Sequence, residues 1–253
     1  MSTAVHVKHY PDPNRRIAAQ GHLRWLHGLG ADVRLPLEHE GTRARLVLEH
    51  LPGRHAAPAD LIAVADTLGR LHGTAYVKEL HASHLVSDHH TTNGIRIPAF
   101  CTGREHVLRH YGVDPDRPVA FYKDTNLRNV VVSESGPALV DFDDLTLAPF
   151  GYDLAKLVVS LTMTHGRLQQ AHVTAALTAY LSAVERTGGP ATACTVEELR
   201  RYAEIHHLLT VRYLHRNGYR HAWPDVRPWP APPPDPGGAT DDGRHRSHRC
   251  PAW

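Results

Sequence analysis

The sequence has few cysteines, no long hydrophobic run and almost no net charge, and each shortage argues against a class of protein. Its three cysteines, Cys101, Cys194 and Cys250, are widely spaced and form no CxxC pair, which argues against a disulfide framework or a zinc knuckle. No stretch of about 18 apolar residues is present and the N-terminus has no secretory apolar core, so we expect a cytoplasmic protein without a membrane partner. The formal net charge of +2 gives no support to nucleic acid as a partner.

The remaining composition is that of a globular protein. Of the 253 residues, 42% are hydrophobic and 21% are charged, which is enough for one large domain or for two lobes around a cleft. Histidine is abundant, with 22 residues, but no HExxH motif or partnered cysteine pair accompanies it. We therefore interpret the histidines as solvated or locally bonded side chains, in preference to ligands of a metal site.

Residues 1–53 have the pattern of a small lobe of strands and one helix. Residues 4–10 alternate, which puts Val5 and Val7 on one face of a strand and Lys8 on the other. A helix is predicted after Asn14 and ends near Gly30. Two further strands are predicted over residues 33–40 and 43–53.

Residues 54–223 have mainly helical periodicity. A helix is predicted from Asp60 to Gly73, and a capping box at Thr195 and Glu198 predicts the start of a last helix that runs to about Gly218. The other predicted segments are a loop at 81–103, a short helix at 104–110, strands at 120–122, 129–133 and 138–142, and helices at 153–166 and 168–186. Residues 224–253 are rich in proline and glycine and are predicted to be a disordered tail.

The segment with the clearest chemistry has the pattern D-x4-N-x11-D. It consists of Asp124, Asn129 and Asp141. Phosphoryl transfer needs a carboxylate near the attacking hydroxyl, together with an amide oxygen and a second carboxylate that hold Mg²⁺ against the nucleotide phosphates. A loop between two short strands can bring these three groups to one cleft.

Chance alone gives this spacing about 0.02 times in a chain with this content of aspartate and asparagine. A structural aspartate in a turn is the alternative. The context favours function, because Asn129 opens a hydrophobic strand, Asp141 closes another, and Tyr152-Asp153-Leu154-Ala155 starts a helix soon afterwards.

In these segments the sequence resembles the aminoglycoside phosphotransferase family, a branch of the kinase-like fold. The family pattern H-G-D-x-x-x-x-N, I-D-F-D/G and Y-D-L-A corresponds to the segments that contain Asp124, Asn129, Asp141 and Asp153. The resemblance covers about residues 4–220. It implies an α+β, two-lobed protein-kinase-like fold with a reduced N-terminal β lobe and a mainly helical C-terminal lobe. It also implies that Asp124 is the catalytic base, that Asn129 and Asp141 bind the metal, and that Asp153 braces the catalytic loop.

The resemblance further implies ATP and Mg²⁺ as cofactors. A strand lysine grips the nucleotide phosphates in such folds, and Lys8 is the candidate, although an exposed strand lysine is the alternative. Glu49 and Leu51 lie where the hinge of the family offers backbone groups to adenine.

The sequence departs from the family pattern in three places. Only seven residues precede Lys8, so the Gly-rich turn over the phosphates is missing or supplied otherwise, and we expect weak nucleotide binding. The helix acid that pairs with the lysine is replaced by Gln20. Tyr122-Lys123 stands in place of His-Gly before the aspartate, so Lys123 either stabilises charge on the transferred phosphoryl group or pairs with a neighbouring acid.

The sequence therefore predicts a kinase that moves the γ-phosphoryl group of ATP to a hydroxyl of a small molecule. The acceptors of the family include cationic metabolites held by acids from C-terminal helices, and the candidates here are Glu185, Glu197, Glu198 and Glu204. Helix capping and surface solvation are the alternative role of these four residues. The alternative function is a kinase-like binding or regulatory module without catalysis. The scattered arginines, balanced by acids, do not favour a nucleic-acid binder.

Overall fold

The computed structural model describes residues 4–230, apart from the side chains at positions 106, 107 and 110, and has the predicted α+β, two-lobed architecture. The strands are β1 Val5–His9, β2 Glu38–Thr42, β3 Arg45–Glu49, β4 Arg54–His55, β5 His89–His90, β6 Arg96–Ile97, β7 Val119–Tyr122, β8 Val130–Ser133, β9 Gly136–Leu139 and β10 Thr146–Pro149. The helices are α1 Pro13–Leu29, α2 Leu61–Lys78, α3 Glu105–His110, α4 Tyr152–His165, α5 Gln170–Arg186, α6 Val196–Thr210 and α7 Trp223–Val226.

The first lobe is a three-stranded antiparallel sheet in the order β1-β3-β2, with α1 beside it. Helix α1 begins at Pro13, slightly earlier than predicted, because its N-cap is Asp12 and not Asn14. The side chain of Asp12 accepts a hydrogen bond from the backbone amide of Asn14 at 2.9 Å. Gly30 ends the helix with a φ of 58°. Strand β2 begins at Glu38, and not at residue 33 as predicted, because Pro36 has no amide hydrogen to give to a ladder.

Helix α2 continues past Gly73, where the sequence predicted its end. Here glycine is a packing residue: a Cβ at Gly73 would lie 2.1 Å from the Oγ1 of Thr187, and one at Gly69 would lie 2.3 Å from the carbonyl oxygen of Tyr180. The two glycines therefore let α2 approach α5 closely. Backbone contact of this kind compensates for the lower helix propensity of glycine.

The hairpin predicted before Asp141 is present and consists of β8 and β9, with Val130 opposite Leu139. Strand β4, from the segment that joins the two lobes, extends this hairpin into a three-stranded sheet. Strand β7 pairs instead with β10, a strand that the sequence analysis did not predict. Strand β7, which precedes Asp124, and strands β8 and β9, which lie between Asn129 and Asp141, are therefore each held in a sheet.

The C-terminal helices contribute many of the buried core residues. The capping box of α6 is confirmed, as Thr195 accepts from the amide of Glu198 and Glu198 accepts from the amide of Thr195. Helix α6 ends at Thr210, about two turns before the predicted end. Residues 224–230 were predicted to belong to a disordered tail, but they include most of the short helix α7. Trp229 packs edge-on against the buried Trp223, and burial of these apolar rings stabilises the segment. The rest of the predicted tail, 231–253, lies outside the described residues.

Among the helices within residues 4–230, none combines the length and the apolarity that crossing a bilayer requires.

Candidate active site

A cleft of about 580 Å³ lies between the sheet of the first lobe and the β8–β9 hairpin. It is lined by His6, Lys8, Pro36, Leu48, Glu49, His50, Leu51, Gly53, Arg54, His55, Arg128, Asn129, Val131, Val140 and Asp141. All five residues that the sequence assigned to nucleotide and metal binding are in this set. The topology thus brings together positions that are up to 133 residues apart in the chain.

The candidate catalytic loop, residues 123–129, follows β7 and is hydrogen-bonded to Asp153, in the first turn of α4. Its buried carboxylate accepts hydrogen bonds from the amide of Thr125 at 2.8 Å and from the amide of Lys123 at 3.3 Å. Burial raises the pKa of Asp153, although the nearby charge of Lys123 acts in the opposite direction. Asp124 lies between the two bound amides and has a φ of 59°, a left-handed conformation that is costly for a residue other than glycine.

The carboxylate of Asp124 is held by three side chains. Oδ1 lies 2.9 Å from the hydroxyl of Tyr122 and 3.2 Å from the Nζ of Lys156, while Oδ2 accepts from the amide of Asn126 at 3.2 Å. Burial favours a raised pKa, but the charge of Lys156 and the hydrogen bonds outweigh it, and the net pKa of Asp124 is lowered. The side chain remains 48% exposed, so an acceptor hydroxyl can reach it.

Hydrogen bonds connect Asn129 to Asp124 and to Val140, the residue before Asp141. The Nδ2 of Asn129 donates to the carbonyl of Asp124 at 2.9 Å, and the carbonyl of Asn129 accepts from the amide of Val140 at 3.0 Å, next to Asp141. Because the amide nitrogen of Asn129 is used in this way, the side-chain oxygen is the group that faces a ligand. Asp141 has a φ of 67°, so two of the three motif residues have left-handed backbone.

Lys8 crosses the cleft to the second lobe. Its Nζ lies 2.8 Å from Oδ1 of Asp141 and 2.6 Å from Oδ1 of Asp143, and the hydroxyl of Tyr10 donates to the same oxygen of Asp143 at 2.8 Å. Burial acts to lower the pKa of Lys8, but the two carboxylates outweigh burial and raise it. Burial likewise acts to raise the pKa of Asp141, and the hydrogen bond from Lys8 makes the net direction downward.

Gln20, which stands where the family has a helix acid, does not contact Lys8. Its side-chain amide donates to Glu38 on β2. The lysine is therefore oriented by acids of the other lobe, and its position depends on the two lobes being close to each other.

The sequence left two roles open for Lys123, stabilising charge on the phosphoryl group and pairing with a neighbouring acid. The side chain is buried, its Nζ donates to the carbonyl of Val140 at 3.0 Å, and the ammonium lies 5.0 Å from the ring centroid of Phe142. Burial lowers its pKa, while nearby aspartates act to raise it. Its direct hydrogen bond is to a backbone carbonyl and not to an acid, so Lys123 is a positioning residue for the Val140-Asp141 segment.

Glu49 and Leu51, which the sequence assigned to a hinge, line the cleft. The carboxylate of Glu49 points to its own lobe, where it accepts from the amide of Leu37 at 3.2 Å and pairs with Arg34. The side chain of Glu49 is thus committed to structure. Strand β3 ends at Glu49, so the backbone of Leu51 lies beyond the ladder and next to the cleft.

Two of the four glutamates considered for the acceptor have structural partners. Glu198 completes the capping box and pairs with Arg117 at 2.8 Å. Glu204 accepts from the indole of Trp223 at 3.0 Å and from Arg227 at 3.4 Å. Glu185 and Glu197 are exposed at the surface of α5 and α6.

Sequence reasoning did not identify Lys156 or Asp143 as site residues. Lys156 lies three positions after Asp153, hence nearly one turn further along the face of α4 that supports the catalytic loop. Helical spacing from a predicted bracing residue is the signal that identifies it. Asp143 stands two positions after Asp141, and its nearness in the sequence to a predicted metal ligand is the corresponding signal.

Within residues 4–230, no three His, Cys, Asp or Glu side chains converge as a metal site. A divalent ion at Asn129 and Asp141 therefore requires ligands from a bound nucleotide. This donor set of one carboxylate and one amide oxygen suits Mg²⁺, which is normally bound through one or two carboxylates plus substrate phosphates.

Comparisons with known proteins agree with this geometry. A model of the phosphotransferase enzyme family (APH) matches residues 7–189. Macrolide 2'-phosphotransferase MphH from Brachybacterium faecium is similar in structure, with a TM-score of 0.56, 16% identity, and coverage of 84% of this chain and 78% of that one. Choline kinase LicA from Streptococcus pneumoniae has a TM-score of 0.53 and 17% identity, with coverage of 83% and 78%.

A third similar structure, amicoumacin kinase hAmiN in complex with AMP-PNP, Ca²⁺ and Ami, has a TM-score of 0.50 and 15% identity, with coverage of 81% of this chain and 72% of that one. At these identities the likeness shows the fold. A search of curated proteins gives no match. Since the family model covers well over half of the described residues, the chain belongs to the phosphotransferase enzyme family.

Proposed function

We propose that this protein is a kinase that transfers the γ-phosphoryl group of ATP to a hydroxyl of a small molecule, with Mg²⁺. The observation that carries the proposal is the hydrogen-bonded unit of Asp124, Asn129 and Val140-Asp141, which joins a candidate base to candidate metal ligands at one edge of the cleft. Membership of the phosphotransferase enzyme family supports the reaction class.

In this proposal Asp124 orients the acceptor hydroxyl and accepts its proton. The lowered pKa keeps the carboxylate ionised at neutral pH, and the side chain is 48% exposed. Asn129 and Asp141 would hold Mg²⁺, which when bound neutralises charge on the nucleotide phosphates. Lys8 supplies the positive charge that grips these phosphates.

The cleft supports ATP as the donor. Its volume of about 580 Å³ is within the usual range for small-molecule sites, and Lys8 lies at the same end as Asp141. The structure of hAmiN with AMP-PNP and Ca²⁺ belongs to a protein of the same fold. The backbone near Leu51 is the group proposed to contact the base of the nucleotide.

One observation favours the second candidate, a module that binds nucleotide without transfer. Asp124 already has a cationic partner in Lys156, and Asp141 shares Lys8 with Asp143, so each carboxylate of the motif has a cation beside it. A binding module, however, has no chemical need for an accessible base at a strained backbone position. This favours the enzyme.

Two isosteric substitutions separate the candidates. Asp141→Asn removes an anionic metal ligand and is expected to weaken Mg²⁺-dependent ATP binding, measured by calorimetry. Asp124→Asn keeps the shape but cannot accept a proton, so we expect nucleotide binding to survive while transfer falls by roughly 10²–10⁴. Transfer is followed as ADP release with a panel of hydroxylated metabolites, including amine-bearing ones.

The matched control is Asp144→Asn, in the same segment but with a side chain 78% exposed and paired only with the exposed Arg15. It should behave like wild type in both assays. Binding of Mg²⁺-ATP by wild type without any turnover would support the binding module, and an Asp124→Asn variant as active as wild type would show that the base is another residue.

A further inference from the structure

A lysine that the proposed function does not use, Lys156, pairs with the proposed base, Asp124. Lys156, on α4, is largely buried, with a side chain 11% exposed, and its Nζ lies 3.2 Å from Oδ1 of Asp124. The same Nζ donates to the hydroxyl of Thr210, the last residue of α6, at 3.4 Å. The ammonium thus lies between the two helices and beside a carboxylate that is 48% exposed.

Burying this ammonium costs free energy, because the charge loses its hydration, so a functional role would explain why the lysine is kept there. A buried ion pair contributes little net stability compared with apolar side chains of similar size, because both charges lose their hydration. An ammonium has three N–H donors. Two of them are matched by the hydroxyl of Thr210 and by one oxygen of Asp124, which leaves capacity for one more acceptor. An oxyanion in the cleft beside Asp124 is a fitting third partner.

The groups around Asp124 are more positive than negative. Asp153 is a nearby acid, but it is committed to the amides of the catalytic loop, and Glu204 is committed to Trp223 and an arginine. Arg104 adds a further positive charge. Burial lowers the pKa of the His206 ring to about 3, and the charges of Lys156 and Arg104 act in the same direction, which locates both cations near this ring.

From this arrangement we infer that Lys156 is a specificity-determining residue, and that the acceptor has an oxyanion, a carboxylate or a phosphate, beside the hydroxyl that is phosphorylated. The inference rests on the proposed function. The oxyanion of the acceptor contacts the ammonium of Lys156, which places the hydroxyl at Asp124. An ammonium group at the same position would be repelled, and the four glutamates considered for a cationic acceptor give no free carboxylate there.

The transfer step balances without any further reactant. The acceptor hydroxyl gives its proton to the carboxylate of Asp124 while its oxygen forms a bond to the γ-phosphorus. The bond between that phosphorus and the β,γ-bridging oxygen breaks, and ADP leaves with the electron pair. Lys156 takes no part in bond making and acts on the position of the acceptor.

Four acceptors with the same three-carbon skeleton test the inference: glycerate, glycerol 3-phosphate, glycerol and 3-aminopropane-1,2-diol. We expect ADP release with Mg²⁺-ATP to be faster with the two oxyanions than with glycerol, and kcat/KM to be roughly tenfold or more above that for the aminodiol. Glycerate and glycerol 3-phosphate separately show whether the oxyanion is a carboxylate or a phosphate.

Lys156→Met removes the charge with little change of shape and should abolish this preference, whereas Lys156→Arg should retain it. Lys78→Met, which removes a lysine bonded to the carbonyl of Leu29, is the matched control. Calorimetric titration of glycerol 3-phosphate into the protein with AMP-PNP and Mg²⁺ gives a second readout, with binding expected for wild type and lost in Lys156→Met. Thermal unfolding checks that each variant is folded.

A preference for the aminodiol, an unchanged preference in a folded Lys156→Met variant, or no response to either oxyanion from a protein that binds and hydrolyses Mg²⁺-ATP would each overturn the inference and leave the proposed function intact. A wild-type protein that neither binds nor hydrolyses Mg²⁺-ATP would instead contradict the proposed function.

Discussion

The Nζ of Lys8 lies 2.8 Å from Oδ1 of Asp141, so the lysine assigned to the nucleotide phosphates and the aspartate assigned to the metal are in direct contact across the cleft. Asp143 shares the lysine at 2.6 Å. The single ammonium thus offsets part of the charge of two carboxylates. Mg²⁺ held at Asp141 would offset the charge of that carboxylate, and Lys8 would then contact the phosphates of ATP.

Lys8→Ala is therefore expected to weaken binding of Mg²⁺-ATP by about tenfold, because one charge-assisted contact to the phosphates is lost. Calorimetry at fixed ionic strength is the measurement. Arg43→Ala is the control: it removes one positive charge from the turn between β2 and β3 of the same sheet, away from the cleft. Equal affinity in wild type and Lys8→Ala would show that the lysine serves only as a counter-charge for the aspartates.

The two glycines of α2 give a test of the packing that supports the site. In Gly69→Ala the new Cβ would lie 2.3 Å from the carbonyl of Tyr180 and 2.8 Å from the Cβ of Ala183, so the helices must separate. We expect the free energy of unfolding to fall by about 1–3 kcal/mol. Gly28→Ala, at an exposed position of α1 with nothing within 4 Å, should raise it by up to about 1 kcal/mol.

Chemical denaturation of both variants measures these changes. If Gly69→Ala is as stable as wild type, α2 and α5 do not approach each other as closely as the structure indicates.

A buried histidine gives a test of acid sensitivity. His206 donates from Nε2 to the carbonyl of Tyr152 at 2.9 Å, and burial, with the charge of Lys156, lowers its pKa to about 3. Between pH 6.5 and pH 3 the unfolded chain binds this proton and the folded chain does not. The free energy of unfolding therefore decreases as the pH falls through this window, by about 1.4 kcal/mol per pH unit for this group.

His206→Gln should reduce the slope of unfolding free energy against pH by about this amount, whatever its effect on stability at pH 7. Denaturant titrations at several pH values between 4 and 7 provide the slope. His90→Gln, at an exposed position on β5, controls for the loss of a histidine. The same slope in His206→Gln and wild type would mean that the ring is protonated in the folded protein.

Local pattern determined the elements that depend on neighbours in the chain. The strand that carries Lys8, the hairpin before Asp141 and the capping box at Thr195 are present as predicted. Each is specified within a few residues, by the period of a strand, by a turn or by a cap. The motif of Asp124, Asn129 and Asp141 is likewise readable because its chemistry requires given residue types at short spacing.

Other features were decided by contacts that no local pattern contains. Gly73 reads as a helix stop, yet packing against α5 makes it an interior residue, and β10 forms because β7 is beside it. Sequence left the role of Lys123 open between the phosphoryl group and a neighbouring acid, and in the fold this buried lysine donates to the carbonyl of Val140. The charge beside Asp124 comes from Lys156, 32 positions away on α4, because the fold places that helix under the catalytic loop. Sequence alone thus predicted the type of chemistry, and tertiary structure decided which lysine lies beside the proposed base.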